Sequence, residues 1–566
     1  MLSIRKIEAF GRTYRHLNRY RQILGILIKY GFGDLIERLN IDQYIEIGLQ
    51  FISSKPNEHH FQKQTRAERI RLALEELGPT YVKLGQLLST RPDLLPINFI
   101  DEFAKLQDNV KSFSYQEVEN ILCKTFNQPL EEIFSFFEKT PIASASIGQV
   151  HKALLKNEDI VAVKIRRPGI RKIVEVDLEI MLHLAMLMEG NLEEMALHRP
   201  VKIVEEFARL LEKELDYKIE AANVERFSRQ FFEDSSIYVP KVYNSLTTER
   251  ILTMEYIQGI KISDIDKLKK SGLDRKKIVS KGADLFLRQI FDHGFFHADP
   301  HPGNILVLKK NIICLLDFGM VGTVDRYKKG DFVNLIYSVV HQDEVKTTQM
   351  LLKLTSWEQE PEIRFLERDV SELMGQYLNK PLKDIEISSL LRQMLELMSD
   401  YHLRLPPDVF LMIKVLSTIE SIAHLLDPDF DMVSQVAPFI KREKIARFHP
   451  QRIAENILSL SSDLLEFMHQ FPKDALEVVK LIKSQQLTVK FEHHGLEKLV
   501  ETHDRISNKI SFAIIIAALI IGSSIVIIAK IPPLLYGISF IGIVVFIAAA
   551  VMGIWLIFAI LRKGSF

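Results

Sequence analysis

An aspartate at 299, an asparagine at 304 and a second aspartate at 317 have the types and spacing of the oxygen donors in a phosphoryl-transfer site. They lie in His297-Ala298-Asp299-Pro300-His301-Pro302-Gly303-Asn304 and, twelve residues on, in Asp317-Phe318-Gly319. Moving a γ-phosphoryl group requires carboxylate and amide oxygens for Mg²⁺ and a carboxylate near the accepting oxygen, all held in line. Either string could be only a turn rich in turn formers. The flanks argue otherwise: Asn304-Ile305-Leu306-Val307-Leu308 and Ile312-Ile313-Cys314-Leu315-Leu316 are strand-like, with a short polar turn between them. The expectation is a hairpin that presents a metal-binding group at each end.

Such a site needs a cation for the nucleotide phosphates and elements that hold it. Ile160-Val161-Ala162-Val163-Lys164-Ile165 reads as a strand whose apolar residues surround a lysine that would otherwise be costly there. Its partner should be a carboxylate on a following helix, and Glu214 to Asn223 reads as one helix carrying Glu214, Asp216 and Glu220. Ahead of the strand, Ala143-Ser144-Ala145-Ser146-Ile147-Gly148-Gln149-Val150 is a loop of small residues with a single glycine. Small side chains permit close backbone approach to phosphates, although alanine and serine reach positive φ less easily than glycine. In this order the parts resemble a protein-kinase-like fold. Alanine at 298 stands where many kinases carry arginine, and no Ala-Pro-Glu follows Asp317 within forty residues, so control by activation-loop phosphorylation is not expected.

A further segment, Leu77 to Asp93, contains Lys83-Leu84-Gly85-Gln86. With the Ala-Ser-Ala-Ser-Ile-Gly-Gln-Val loop, Glu214-Leu215-Asp216 and the His-Ala-Asp-Pro-His-Pro-Gly-Asn run, it resembles the UbiB family of atypical protein-kinase-like proteins, or aarF-domain kinases, of ubiquinone biosynthesis. The resemblance implies ATP and Mg²⁺ as cofactors. It implies that Lys164 contacts the α/β-phosphates and pairs with Glu220, that residues 143–150 cover the nucleotide, that Asp299 is the catalytic base, and that Asn304 and Asp317 hold Mg²⁺. It also implies that Glu214 and Asp216 face Lys83, and that the helix bearing Lys83, Gly85 and Gln86 folds over the cleft where a protein substrate would otherwise lie. Occlusion of that kind favours ATP hydrolysis or phosphorylation of a small molecule.

With 73 basic and 73 acidic residues among 566, the chain is near neutral, and nothing argues for nucleic acid. Cys123 and Cys314 suit a reducing compartment and form no disulfide framework. His293, His297 and His301 lie four apart, but the intervening prolines deny them a shared helix face, so they are not read as metal ligands. Near the end, Ile510 to Ala529 and Leu534 to Leu561 are uncharged apolar runs separated by Lys530-Ile531-Pro532-Pro533, each long enough to cross a bilayer. Arg505, Lys509, Arg562 and Lys563 outside the runs, against Lys530 in the turn, put both ends in the cytoplasm and the protein in the inner (cytoplasmic) membrane. Gly537, Ser539, Gly542 and Ala548 to Ala550 suit close helix packing or a homodimer.

The expected fold class is α+β, a two-lobed protein-kinase-like fold with an N-terminal helical extension, helical C-lobe additions and a C-terminal transmembrane helical hairpin. The boundaries are 1–60 for the extension, 61–330 for the kinase-like core, 331–505 for helical additions and stalk, then spans 510–529 and 534–561. The helical additions include periodic stretches at Phe332 to Val340 and Leu476 to Ile482. Arg12, Arg15, Arg19 and Arg21, among aromatics and leucines, give the extension an amphipathic character suited to lipid or to docking on the core, and it lacks the apolar core of a secretory signal. The expected function is a membrane-anchored kinase or ATPase supporting isoprenoid-quinone synthesis, with membrane lipid, quinone intermediates and quinone-biosynthesis proteins as partners. The alternative is an ATP-responsive scaffold that assembles or extracts quinone-pathway components. Direct ring hydroxylation lacks a flavin fingerprint or an iron-ligand set.

Overall fold

The computed structural model describes residues 14–39, 64–91, 94–106, 112–192, 199–357, 361–376, 386–447, 496–535 and 538–562. Helix predominates over strand, and the chain divides into two compact units, one ending at Ile453 and the other starting at Ala454.

In the first unit, an antiparallel sheet is built from β1 (Phe134–Phe137), β2 (Ala143–Ser144), β3 (Gly148–Leu155), β4 (Ile160–Arg166) and β6 (Ile251–Glu255), in the order β1-β3-β4-β6 with β2 also on β3. Alternation along β4 decides the faces. Val161, Val163 and Ile165 are fully buried against Val118 and Leu122 of the helix Tyr115–Phe126. Ala162 and Lys164 therefore point to the other side. Tyr115–Phe126 starts on a capping box in which the Ser114 side chain accepts from Glu117 N and Glu117 returns a bond to Ser114 N, which satisfies two otherwise orphaned donors.

A second sheet runs β5 (Ile237–Tyr238), β10 (Ile312–Leu315), β9 (Ile305–Leu308), β7 (Ile260–Lys261), and a two-stranded ribbon joins β8 (Phe295–His297) to β11 (Val321–Thr323). β9 and β10 form an antiparallel hairpin with Ile312 opposite Leu308 and Leu315 opposite Ile305. Asn304 is not in the strand; it ends a 3₁₀ turn, Pro302–Asn304, whose proline fixes the backbone of the loop. These strands share one hydrophobic core with the helices Arg275–Leu287, Arg326–Val340, Glu344–Leu354, Ile363–Gly375, Ile387–Asp400 and Pro407–Leu426. Pro407–Leu426 is long and apolar enough to cross a membrane, yet it is mostly buried and serves as a core helix.

The expected single helix from Glu214 to Asn223 is two helices. Pro200–Glu214 ends at Leu215, and Tyr217–Gln230 begins after Asp216, whose extended backbone and carboxylate, accepting from Lys218 N at 3.0 Å, make it an N-cap. Glu214 and Glu220 thus sit on different helices. The N-terminal helix Tyr14–Lys29 docks on the core: Ile23, Leu24 and Ile26 pack with Leu74, Leu77 and Tyr81. Arg19 fixes it, with Nε 2.7 Å from Asp177 Oδ1 and Nη2 2.7 Å from Leu77 O. Arg12 and the periodic stretch Leu476 to Ile482 lie outside the described residues.

The second unit is a pair of helices, Leu496–Ile528 and Phe540–Arg562. The second helix starts at Phe540, later than the apolar run beginning at Leu534, because Leu534–Leu535 and Ile538–Ser539 pair as a short antiparallel ribbon after Pro532-Pro533. A β-carbon on Gly542 would lie 2.6 Å from Ile527 Cγ1, so the helices cross closely there. Ile510–Ile528 is long and apolar enough to span a bilayer and is almost wholly exposed, which supports a membrane-associated protein.

Candidate active site

Lys164 projects from β4 to meet two carboxylates that are remote in sequence. Its Nζ lies 2.9 and 3.0 Å from the two oxygens of Glu220 and 3.3 Å from Asp317 Oδ1, and it sits 5.4 Å from the centre of the Tyr217 ring. Glu220, at 6% side-chain exposure, is deeply buried, and Lys164 nearly so. Burial would push the ammonium pKa down, but Asp317 and Glu220 together hold it well above its ordinary range. Two carboxylates share one ammonium, and they fare differently. The Lys164 charge holds Asp317 well below the usual carboxylate range, whereas burial pushes Glu220 up to about 7.

Asp317 occupies left-handed backbone space at φ 54°, a strained setting for a non-glycine residue and one common at functional sites. The strain is held by its neighbours. His297 Nδ1 accepts from Asp299 N at 3.2 Å, which leaves Nε2 to donate to the Leu316 and Asp317 carbonyls at 3.1 and 2.9 Å. Phe318 is fully buried against Phe227 and His297, and its carbonyl accepts from Asn223 Nδ2 at 3.0 Å. One imidazole thus ties the loop of Asp299 to the loop of Asp317. His301 instead accepts from Gly303 N, and His293 packs on Phe231.

Asn304 Nδ2 donates to the Asp299 carbonyl at 3.3 Å, which leaves Oδ1 as its acceptor atom, while Asn304 O accepts from Leu316 N at 2.8 Å. An amide oxygen and a half-exposed carboxylate are hard oxygen donors of the kind Mg²⁺ takes. The residues present therefore fit the metal.

The small-residue loop is a tight hairpin. Ala143 pairs with Val150 and Ser144 with Gln149, and Ala145 N donates to Gly148 O at 2.8 Å. Contrary to the concern about positive φ, none of residues 143–150 adopts it. Gly148 is needed for space: a β-carbon there would meet Tyr217 Oη and Ile165 O. Ile147 O accepts from Arg167 N, and Gln149 is structural, with Oε1 accepting from Phe113 N and Nε2 bonded to His151. The hydroxyls of Ser144, Ser146 and Tyr217 are buried without a hydrogen-bond partner. Unpaired buried hydroxyls in this hairpin and on Tyr217, whose ring lies against Lys164, suit an anionic ligand such as a phosphate.

The helix Pro79–Leu88 carries Lys83, whose Nζ lies 2.5 Å from Glu214 Oε1 and whose charge also lowers the Asp317 pKa. Gly85 lets this helix approach closely, since a β-carbon would meet Leu106 Cδ1 at 2.2 Å, and Gln86 Nε2 donates to Leu106 O at 3.1 Å. Asp216 caps its own helix. Sequence reasoning passed over Tyr217, Asn223 and Gln289. Gln289 Oε1 accepts from His297 N at 2.9 Å, and a glutamine next to Arg288 in the otherwise apolar stretch Leu285 to Phe291 was the readable signal for it.

Residues 105–351 match the ABC1 atypical kinase-like domain, 370–431 the UbiB helical domain, and 494–562 the ABC1/UbiB kinase-like C-terminal domain. An uncharacterized protein in the hydrogenase 1 5′ region of Clostridium pasteurianum is 33% identical over 547 residues, covering 97% of this chain and 99% of its own length. A probable protein kinase UbiB of Cellvibrio japonicus is 34% identical over 413 residues, 72% of this chain and 75% of that one. Protein ACTIVITY OF BC1 COMPLEX KINASE 7, chloroplastic, of Arabidopsis thaliana is 36% identical over 382 residues, 67% and 55% respectively.

Proposed function

Because the chain belongs to the ABC1/UbiB family of atypical kinase-like proteins, we propose that it is a membrane-anchored, ATP-binding kinase or ATPase that transfers a phosphoryl group to water or a small hydroxyl compound in support of ubiquinone or related quinone synthesis. The observation that carries this reading is the Lys164–Glu220 pair drawn against Asp317, which brings a strand, a later helix and the loop after β10 to one point, as such transfer requires.

In this reading Lys164, oriented by Glu220, holds the α/β-phosphates under the hairpin of residues 143–150. Mg²⁺ held by Asn304 Oδ1 and the Asp317 carboxylate supplies charge neutralisation on the phosphoryl oxygens. Asp299, fixed at its backbone by His297 and Asn304, accepts the proton of the attacking hydroxyl as its oxygen bonds to the γ-phosphorus and ADP departs. The helix bearing Lys83 is the lid, clamped to Glu214. It keeps a polypeptide from the γ-phosphate and favours a small acceptor. Ile510–Ile528 and the helix Phe540–Arg562 are the anchor, with both ends cytoplasmic.

The test is Mg-ATP binding and phosphate release by the full chain in detergent, with and without quinone-precursor-like phenols and liposomes. Saturable binding with release stimulated by either addition is expected. Lack of Mg-ATP binding would refute the reading, and binding without turnover under every condition would favour an ATP-responsive scaffold.

A further inference from the structure

The core helix Pro407–Leu426 carries one cation on an otherwise apolar stretch. Lys414 lies between Met412 and Ile413 on one side and Val415 and Leu416 on the other, all four buried. The helix packs against β11, and β11 places Val321 opposite His297, two residues before Asp299. Ala298 N donates to Met320 O at 3.1 Å, closing the same corner. Burial lowers the Lys414 pKa, and the charge that acts against this is that of Asp299. No carboxylate lies within ion-pair distance of Lys414 Nζ among the described residues, although most interior ammonium groups have one.

The loop that carries Asp299 is short of positive charge of its own. Phe295 to Leu308 contains no lysine or arginine, and His301 is occupied by its own turn. Lys164 is committed to Glu220 and Asp317, and Lys83 to Glu214. A γ-phosphoryl group brought up to Asp299 would meet like charge with no cation of the loop's own to offset it.

We propose that Lys414 is a catalytic residue supplied by the helical domain, whose ammonium binds the terminal phosphoryl oxygens of ATP beside Asp299. The inference rests on the nucleotide-site reading above and deepens it. The helical segment, which matches a separate domain from the kinase-like one, then completes the active site. An ammonium with no ion-pair partner among the described residues, set in an apolar helix that packs on the strand beside His297 and the loop of the proposed base, is arranged for a ligand's charge.

The test uses the full chain in detergent, with Kd measured for Mg-ATP and Mg-ADP alongside phosphate release, for wild type, Lys414→Met, Lys414→Gln and Lys414→Arg. Methionine conserves volume and suits the apolar surroundings, and glutamine serves if methionine fails to fold. Lys414→Met should lose roughly 10²-fold in phosphate release and about tenfold in preference for ATP over ADP, with ADP affinity and Tm unchanged, and Lys414→Arg should keep most of the activity. Wild-type turnover and ATP:ADP ratio in both neutral variants would overturn the inference, as would equal loss of ATP and ADP affinity, the mark of a structural role. If wild type itself binds neither nucleotide, the nucleotide-site reading fails first and this inference with it.

Discussion

A β-carbon on Gly148 would lie 2.3 Å from the Tyr217 hydroxyl and 2.6 Å from the Ile165 carbonyl oxygen, so the one glycine of the small-residue loop is there because the tyrosine that starts the helix Tyr217–Gln230 fills its space. Neither neighbour can give easily: Tyr217 is fully buried and Ile165 O is backbone. Gly148→Ala should therefore cost about 1–3 kcal/mol by overpacking and displace the loop. Chemical denaturation should show a lowered midpoint, and Tyr217→Phe in the same chain should recover only part of it, because the Ile165 contact remains. An unchanged midpoint for Gly148→Ala would mean the hairpin shifts freely.

Asp317→Asn removes a carboxylate that Lys164 holds strongly ionised, and an amide cannot supply that charge to a divalent cation. Mg²⁺-dependent ATP affinity should fall roughly 10- to 100-fold, the weight of a charge-assisted contact. Binding measured in EDTA should change little, since Lys164 keeps Glu220. Equal affinity with Mg²⁺ in the folded variant would remove Asp317 from the metal site.

How far the sequence could be read depends on whether a feature is local. The β9–β10 hairpin and β4 follow from alternation and β-branched residues within a few positions. The break at Asp216 was equally local and readable, because aspartate followed by a helical run is an N-cap signal, but the strong helix propensity of the whole stretch masked it. Gly148 was out of reach: its reason lies in Tyr217, 69 positions on, and not in φ. Arg19 finds Asp177 158 positions away, so the docking of the first helix could be weighed only as one alternative against contact with lipid. Lys414 is illegible for the same reason, since a lone lysine in an apolar helix reads as a surface position until the strand beneath it is known.

Cutting the chain after Ile453 falls between the two compact units and leaves every residue of the candidate site on the N-terminal part. The shortened protein should stay in the supernatant and bind Mg-ATP with the affinity of the full chain, because the exposed apolar helix Ile510–Ile528 is gone and the core sharing Phe286, Phe318 and Ile413 is intact. Fractionation after a high-salt wash checks it. Retention of the truncated form in the membrane pellet would assign the anchor elsewhere.

Lys83→Ala addresses the lid. Lys83 and Glu214 are both largely buried, at 15% and 29% exposure, so the pair stands between a surface bridge and an interior one, and its loss should cost about 1–2 kcal/mol. Most of that cost is Glu214 left without its countercharge, and loosening of the helix Pro79–Leu88 relieves it. The helix also packs through Tyr81 and Val82 in the core with Leu74 and Leu77, through Gly85 against Leu106 and through Gln86 on the Leu106 carbonyl, so loss of Lys83 loosens the lid without detaching it. Lys83 also lends positive charge to Asp317, so its removal makes the metal site more negative while opening the cleft. Both effects act on nucleotide handling, and a thermal-shift titration should show altered relative stabilisation by ATP and ADP together with failure to restore quinone synthesis in a cell lacking the protein. A Lys83→Arg variant keeps the charge and should stay closer to wild type in both readouts. Wild-type titrations and full rescue by Lys83→Ala would reduce Pro79–Leu88 to a packing helix and remove the argument for a small acceptor.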